Sequence, residues 1–206
     1  MTALETERLK ERRAIAIRSE LIQLLGGAKP YREFTFERFQ LTPGNQLAYE
    51  RSRHFNPAAE NLYLWGPCGV GKTHLSWALA RRCFEETLSV VMLPAGQLSR
   101  KVRMKDPEQE QATVDQWVWA EVLVLDDLGA GSDTAYVRQV VQELLDGREF
   151  NDHAGLIVTS KYSLDELAAK LADDSIPSRL AGMCQVVEIK GSDGRLSRPG
   201  RAPIAP

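Results

Sequence analysis

Eight consecutive residues, Gly66-Pro67-Cys68-Gly69-Val70-Gly71-Lys72-Thr73, put three glycines in front of a lysine and a hydroxyl. A turn of this kind can aim successive backbone N–H groups at phosphate oxygens, with the positive end of the following helix behind them. Lys72 would bring a mobile positive charge to the β and γ phosphates of a nucleotide, and Thr73 a hydroxyl to Mg2+. The next residue, His74, is grouped with the loop by position, while by type it reads as structural. The context supports the chemistry: Leu62-Tyr63-Leu64-Trp65 runs into the loop like a strand, and Leu75, Leu79 and Ala80 fit one side of a helix leaving it.

The second element such a site needs is a carboxylate at the end of a neighbouring buried strand. Glu121-Val122-Leu123-Val124-Leu125-Asp126-Asp127-Leu128-Gly129 offers two. Asp126, which ends the apolar run, is the candidate for the magnesium shell, and Asp127 for orienting or deprotonating an attacking water. Taken alone, two acids could merely close a strand and cap the next segment. Beside a complete phosphate loop they point to nucleoside triphosphate chemistry, without separating ATP from GTP.

Those residues require a scaffold that brings two strand ends together. Continuous apolar runs occur at Leu62 to Trp65, Val90 to Leu93, Val122 to Leu125, Leu156 to Thr159 and Val186 to Ile189. Runs that do not alternate suit strands covered on both faces, so these five predict an α/β fold with a parallel sheet between helix layers. Upstream, residues 4–25 have a loosely helical apolar pattern ending at Gly26-Gly27. Tyr31, Phe34, Phe36 and Phe39 form an aromatic lead-in, and residues 45–54 suit a helix. The expected division is a helical extension over 1–30, one nucleotide-binding domain over 31–195 and a flexible tail over 196–206.

A chain of 206 residues with 43% apolar content can bury one substantial core. Its net charge of −2 excludes the broad attraction of a strongly basic nucleic-acid binder, so contact with DNA would need a local patch. Cys68, Cys83 and Cys184 form no ligand cluster and read as reduced thiols. With no apolar run near the ~20 residues of a membrane span and no signal-like N-terminus, the expectation is a soluble cytoplasmic protein without membrane contact.

The order of motifs is more specific than any one of them. Thr35-Phe36-Glu37-Arg38-Phe39 precedes Asn61 to Gly66 and Gly71-Lys72-Thr73-His74-Leu75, and Leu125-Asp126-Asp127-Leu128-Gly129 comes after them. Then come Ile157-Val158-Thr159-Ser160-Lys161, Ile176-Pro177-Ser178-Arg179-Leu180 and Gly191-Ser192-Asp193-Gly194-Arg195. Over roughly residues 34 to 195 the chain resembles AAA+ ATPases of the DnaC/IstB type, which include replicative helicase loaders and transposition helper ATPases.

The resemblance implies a P-loop core with strand order 5-1-4-3-2, ATP and Mg2+ as ligands, and assembly into rings or filaments with ATP between subunits. It also makes Arg179 an arginine finger for the next subunit's site; without it, Arg179 would read as a surface residue paired with Asp173 or Asp174. One position departs from the pattern. Where relatives usually carry asparagine to polarise the attacking water, this chain has Lys161, which donates hydrogen bonds but cannot accept one. Slow hydrolysis is the expectation. Phe36 and Phe39 divide between lining an adenine pocket and packing their own segment.

Arg100, Lys101, Arg103 and Lys105 cluster between the second and third strands, where relatives place an element facing single-stranded DNA; a solvated helix face is the plainer reading. Trp117 and Trp119 could stack on bases, although packing is the commoner use of such residues. The stretch 4–25 could dock a partner or pack back on its own domain. A helicase loader in DNA replication leads these readings, with a replicative helicase as partner. A transposition helper partnered by a transposase shares every motif. A small-molecule kinase would need an acceptor pocket and lid for which the connections after Asp126 leave little room, and Lys161 motivates a weakly hydrolysing scaffold.

Overall fold

The computed structural model describes residues 33–102, 106–131, 134–151 and 153–194. The expected N-terminal helix, Tyr31, Arg103, Lys105, Arg195 and the tail lie outside them. A helical turn at Phe36–Arg38 leads into α1 (Gln46–Arg53), β1 (Leu62–Trp65) and α2 (Lys72–Glu85). Next come β2 (Val90–Pro94), α3 (Leu98–Val102), α4 (Pro107–Val118), β3 (Val122–Leu128), α5 (Ala135–Phe150) and β4 (Leu156–Ser160). The last described elements are α6 (Leu164–Leu171), α7 (Ser175–Met183) and β5 (Gln185–Glu188).

All strand pairs are parallel, and the sheet order is β2-β3-β4-β1-β5, the order the resemblance implies. Alternate residues of the continuous apolar runs serve opposite helix layers, as the strand period of two dictates. Leu62, Leu64, Val122, Val124 and Ile157 pack with Leu75 and Leu79 of α2, while Tyr63, Leu123, Leu125, Leu156 and Val158 pack with residues of α4 to α7.

Expectation and structure differ most at two strands, β3 and β5. β3 extends to Leu128, because a bulge carries the ladder past the acidic pair. β5 begins at Gln185, one residue earlier than the apolar run, and exposes three of its four residues. Among the described residues β1 is its only strand neighbour, so it lacks the two-sided cover of the interior strands.

Two polar side chains fix the amino end of the sheet. Asn61 accepts from the Leu156 amide at 2.8 Å and donates to the Met183 carbonyl at 3.2 Å, tying the start of β1 to β4 and to the approach to β5. Arg148, fully buried on α5, donates to the carbonyls of Val118 (3.0 Å), Ala120 (2.8 Å) and Ala154. It thereby joins the end of α4, the start of β3 and the approach to β4. Burial lowers its pKa to about 10.

Candidate functional site

The strand order changes direction at β1, which lies between β4 and β5, and such a reversal opens a crevice at the carboxyl ends of the strands. The phosphate loop fills this position. Its first amide, Gly66 N–H, donates to the Ser160 carbonyl at the end of β4 (3.2 Å). Two of its glycines are required by close approach: at Gly69 (φ +78°) a Cβ would lie 1.8 Å from the Asp193 carboxylate, and at Gly71 (φ +106°) 2.6 Å from the Phe39 ring. Gly71 is also the left-handed residue from which α2 starts. Lys72 is buried, and its ammonium donates to the carbonyls of Gly66 and Pro67, both at 2.7 Å. The positive charge is thus held across the loop where phosphate oxygens would approach.

The acidic pair lies one strand over, on a bulge. Leu125 pairs with Val158, but the next partners are Leu128 and Ser160, so Asp126 and Asp127 stand opposite the single residue Thr159. Asp127 takes a left-handed backbone (φ +61°), a costly conformation for a non-glycine residue. Thr159 compensates. Its buried hydroxyl accepts from the Asp127 amide at 2.8 Å and donates to Asp126 Oδ1 at 2.8 Å. Ser160 continues the clasp by donating to the Leu128 carbonyl at 2.7 Å.

These contacts give the two acids different environments. Asp126 is buried and receives hydroxyls from Thr159, from Ser76 at 3.3 Å and from Thr73. Burial pushes its pKa up, the adjacent Asp127 adds to the rise, and the hydroxyl donors oppose it. Asp127 is exposed. A buried carboxylate next to another carboxylate, with a hydroxyl of the phosphate loop beside it, is a hard-oxygen donor set suited to a divalent cation. No group of three His, Cys, Asp or Glu side chains gathers to hold a metal among the described residues. Thr73 and Asp126 are the hydroxyl and carboxylate that could share a cation with phosphate oxygens.

Other expected residues fall into distinct places. Lys161 directly follows β4; its amine lies 4.8 Å from the Tyr162 ring centroid, and its pKa is raised first by Tyr162, with smaller contributions from Cys68 and Asp127. His74 stacks on Phe34 (4.8 Å), meets Phe39 edge-on (5.2 Å) and has its Nε2 at 2.8 Å from the Thr35 carbonyl, so it fastens the aromatic lead-in to α2. Phe39 is buried and stacked on Tyr49, and it abuts Gly71, so its packing role and its nearness to the loop coexist.

Arg179 pairs with Asp146 (2.7 Å) and Glu149 of α5, not with Asp173 or Asp174. Asp173 instead accepts from the Ser175 amide at 2.8 Å. Arg100 is exposed on α3, whose Leu98 and Val102 are buried, and Lys101 is half-buried there. Trp117 belongs to the core, whereas Trp119 is 49% exposed. Thr159 and Ser76 were missed as site residues; the signal for Thr159 was a hydroxyl at the end of the strand beside Asp126. No described helix is long and apolar enough to cross a membrane.

Comparison with known proteins agrees with this fold. The family profile described as IstB-like ATP binding protein matches residues 3–202. The ATP-binding protein of insertion sequence IS21 from Pseudomonas aeruginosa is 28% identical over 180 residues, which cover 82% of this chain and 67% of that protein. The replicative helicase loader DnaI of Bacillus subtilis is 27% identical over 143 residues, covering 65% of this chain but only 45% of DnaI. Among solved structures, the DnaC helicase loader superposes with a TM-score of 0.68 at 24% identity, over 79% of this chain and 100% of that one. The fold is that of an AAA+ P-loop domain.

Proposed function

The chain belongs to the IstB-like ATP-binding protein family, and from that premise we propose that it is an oligomeric AAA+ ATPase that couples ATP binding to the handling of DNA by a transposase. The observation that carries the nucleotide reading is that the helix leaving the phosphate loop meets the end of β3 at one buried carboxylate: Ser76 of α2 donates to Asp126 at 3.3 Å, and Thr73 lies in the first turn of the same helix. Loop amides and the start of α2 receive the phosphates, and Lys72 supplies a fixed positive charge. Bound Mg2+ would neutralise phosphate charge, held by Thr73 and Asp126. Asp127 accepts the proton of the attacking water, Lys161 donates to phosphate oxygens, and Arg179 completes the site of an adjoining copy. Because Lys161 cannot orient a water as an acceptor, turnover is slow.

The choice of a transposase over a helicase follows the extent of the matches: the insertion-sequence relative covers more of this chain, and more of its own length, than DnaI does. The similarity to DnaI keeps helicase loading as the second reading. Arg100, Lys101, Arg103 and Lys105 are proposed to meet single-stranded DNA, and the stretches 1–30 and 196–206 to flank the ATPase domain at 31–195. The deciding experiment measures ATP binding and turnover with and without single-stranded DNA, alongside parallel pull-downs with a transposase and a replicative helicase. Lys72→Ala should abolish ATP binding. Retained binding would sink the nucleotide reading, and capture of the helicase alone would reverse the order of partners.

A further inference from the structure

The helix layer on the face of the sheet opposite α2 carries a groove of about 620 Å3 between α4 and α5. Val114, Val118, Trp119 and Phe150 give it apolar walls, and Asp115 and Glu143 stand at its rim. Phe150 is 90% exposed at the end of α5 and gains nothing from its own core. The acidic side continues along α5 through Asp146 and Glu149, where Arg179 pairs with both. None of these wall or rim residues belongs to the phosphate loop or the acidic pair.

The chain contains a segment of complementary character. Residues 8–18 read Arg-Leu-Lys-Glu-Arg-Arg-Ala-Ile-Ala-Ile-Arg, five cations against one anion, for a net charge of +4. Ile15 and Ile17 lie between Arg13 and Arg18, and the groove sets its apolar walls beside an acidic side where Gln111 donates to both Asp115 (3.1 Å) and Glu143 (2.8 Å). Reach decides which copy receives it. Phe34 is fixed on His74 at the start of α2, so the groove of the same chain lies across the sheet. The 15 steps from Arg18 to Glu33 span at most about 50 Å when fully extended. Rounding a domain roughly 40 Å across would consume nearly all of that length. A neighbouring copy's groove imposes no such detour.

We propose that the α4–α5 groove receives residues 8–18 of a second copy of the chain. The contact is heterologous, arm into groove, and links copies head to tail. It goes beyond the nucleotide reading and is measured without nucleotide, so its failure is separate from failure of the ATP site.

The test uses the full-length protein, with sedimentation for association and hydrogen exchange for the amides of residues 8–18. In the parent chain both association and amide protection should rise together with concentration. Phe150→Asp, at a side chain exposed enough to leave the fold intact, should weaken association about tenfold or more and release the protection. Asp115→Arg with Glu143→Arg should do the same, and adding Arg12→Glu with Arg13→Glu should restore both readouts by reversing the charges. A chain that stays monomeric at every concentration overturns the proposal. So does unchanged association of Phe150→Asp, protection that is independent of concentration, or failure of the charge exchange to restore binding.

Discussion

A buried ionisable side chain stands at each end of β3, Arg148 of α5 at one and Asp126 of the strand itself at the other, and the two have different neighbours. At the amino end Arg148, fully buried, directs its guanidinium to three backbone carbonyls from three segments. At the carboxyl end Asp126, 8% exposed, takes hydroxyl donors but sits beside Asp127 on a bulge with left-handed backbone. The first arrangement closes gaps in the backbone's own hydrogen bonding. The second keeps like charges together and strains the chain, a cost that fits the cation and phosphate site proposed above. Burial opposes both charges; what sets the site apart is the second carboxylate and the strained backbone beside Asp126, where Arg148 meets only backbone carbonyls and keeps an Nε without a partner among the described residues.

The largest test breaks the anchor. Arg148→Met fills similar space but leaves up to three buried carbonyls without their donor, so urea unfolding should show a loss of about 3–5 kcal/mol. ATP affinity of the folded fraction should stay unchanged, because the phosphate loop is at the other end of the sheet. A large change in affinity with little loss of stability would mean that the two ends are coupled and the contrast between them false.

A smaller effect is expected from the clasp over the bulge. Thr159→Val keeps the shape of the side chain and removes the oxygen that serves both Asp126 and the Asp127 amide. Stability should fall by about 1–3 kcal/mol, and ATP turnover by about tenfold or more as the two carboxylates lose their relative placement. Thr159→Ser should restore both. If the valine variant lost stability but kept full turnover, the clasp would serve only the fold, as Arg148 does.

Much of this contrast was legible in the sequence, and the unread part has a physical cause. The phosphate loop, the acidic pair and five strands could be read because glycine spacing, apolar runs and a helix start are local signals. The strand order came with the resemblance, and the structure has the same order. Asp126 was identified by its place at the end of an apolar run, but the bulge was not visible: Leu125 to Leu128 looks like any strand end until Val158 and Ser160 fix its register. Arg148 was invisible for a similar reason, since its partners are carbonyls from 6 to 30 residues away, which have no side-chain signature. Arg179 found acids on α5 instead of its near neighbours because α5 and α7 pack together.

The smallest expected effect is the sharpest test of the comparison, because it should have opposite signs for stability and function. A carboxyl whose pKa is raised on folding binds a proton more readily in the folded state than in the unfolded one. For Asp126, acid pH therefore favours folding, and stability is lost as pH rises from the ordinary value of 3.8 through the raised folded value. Above that value the full cost of the buried charge is present. An asparagine in its place would not ionise, and the amide oxygen could still accept from Thr159. Asp126→Asn should thus raise the thermal midpoint of the nucleotide-free protein modestly at neutral pH, with the gain fading below about pH 4, while Mg2+-dependent ATP hydrolysis disappears. Thermal melts across pH, paired with turnover assays, check both halves. A variant less stable than the parent at neutral pH would show that the hydroxyl donors outweigh burial at Asp126, and that the second carboxylate beside it costs little.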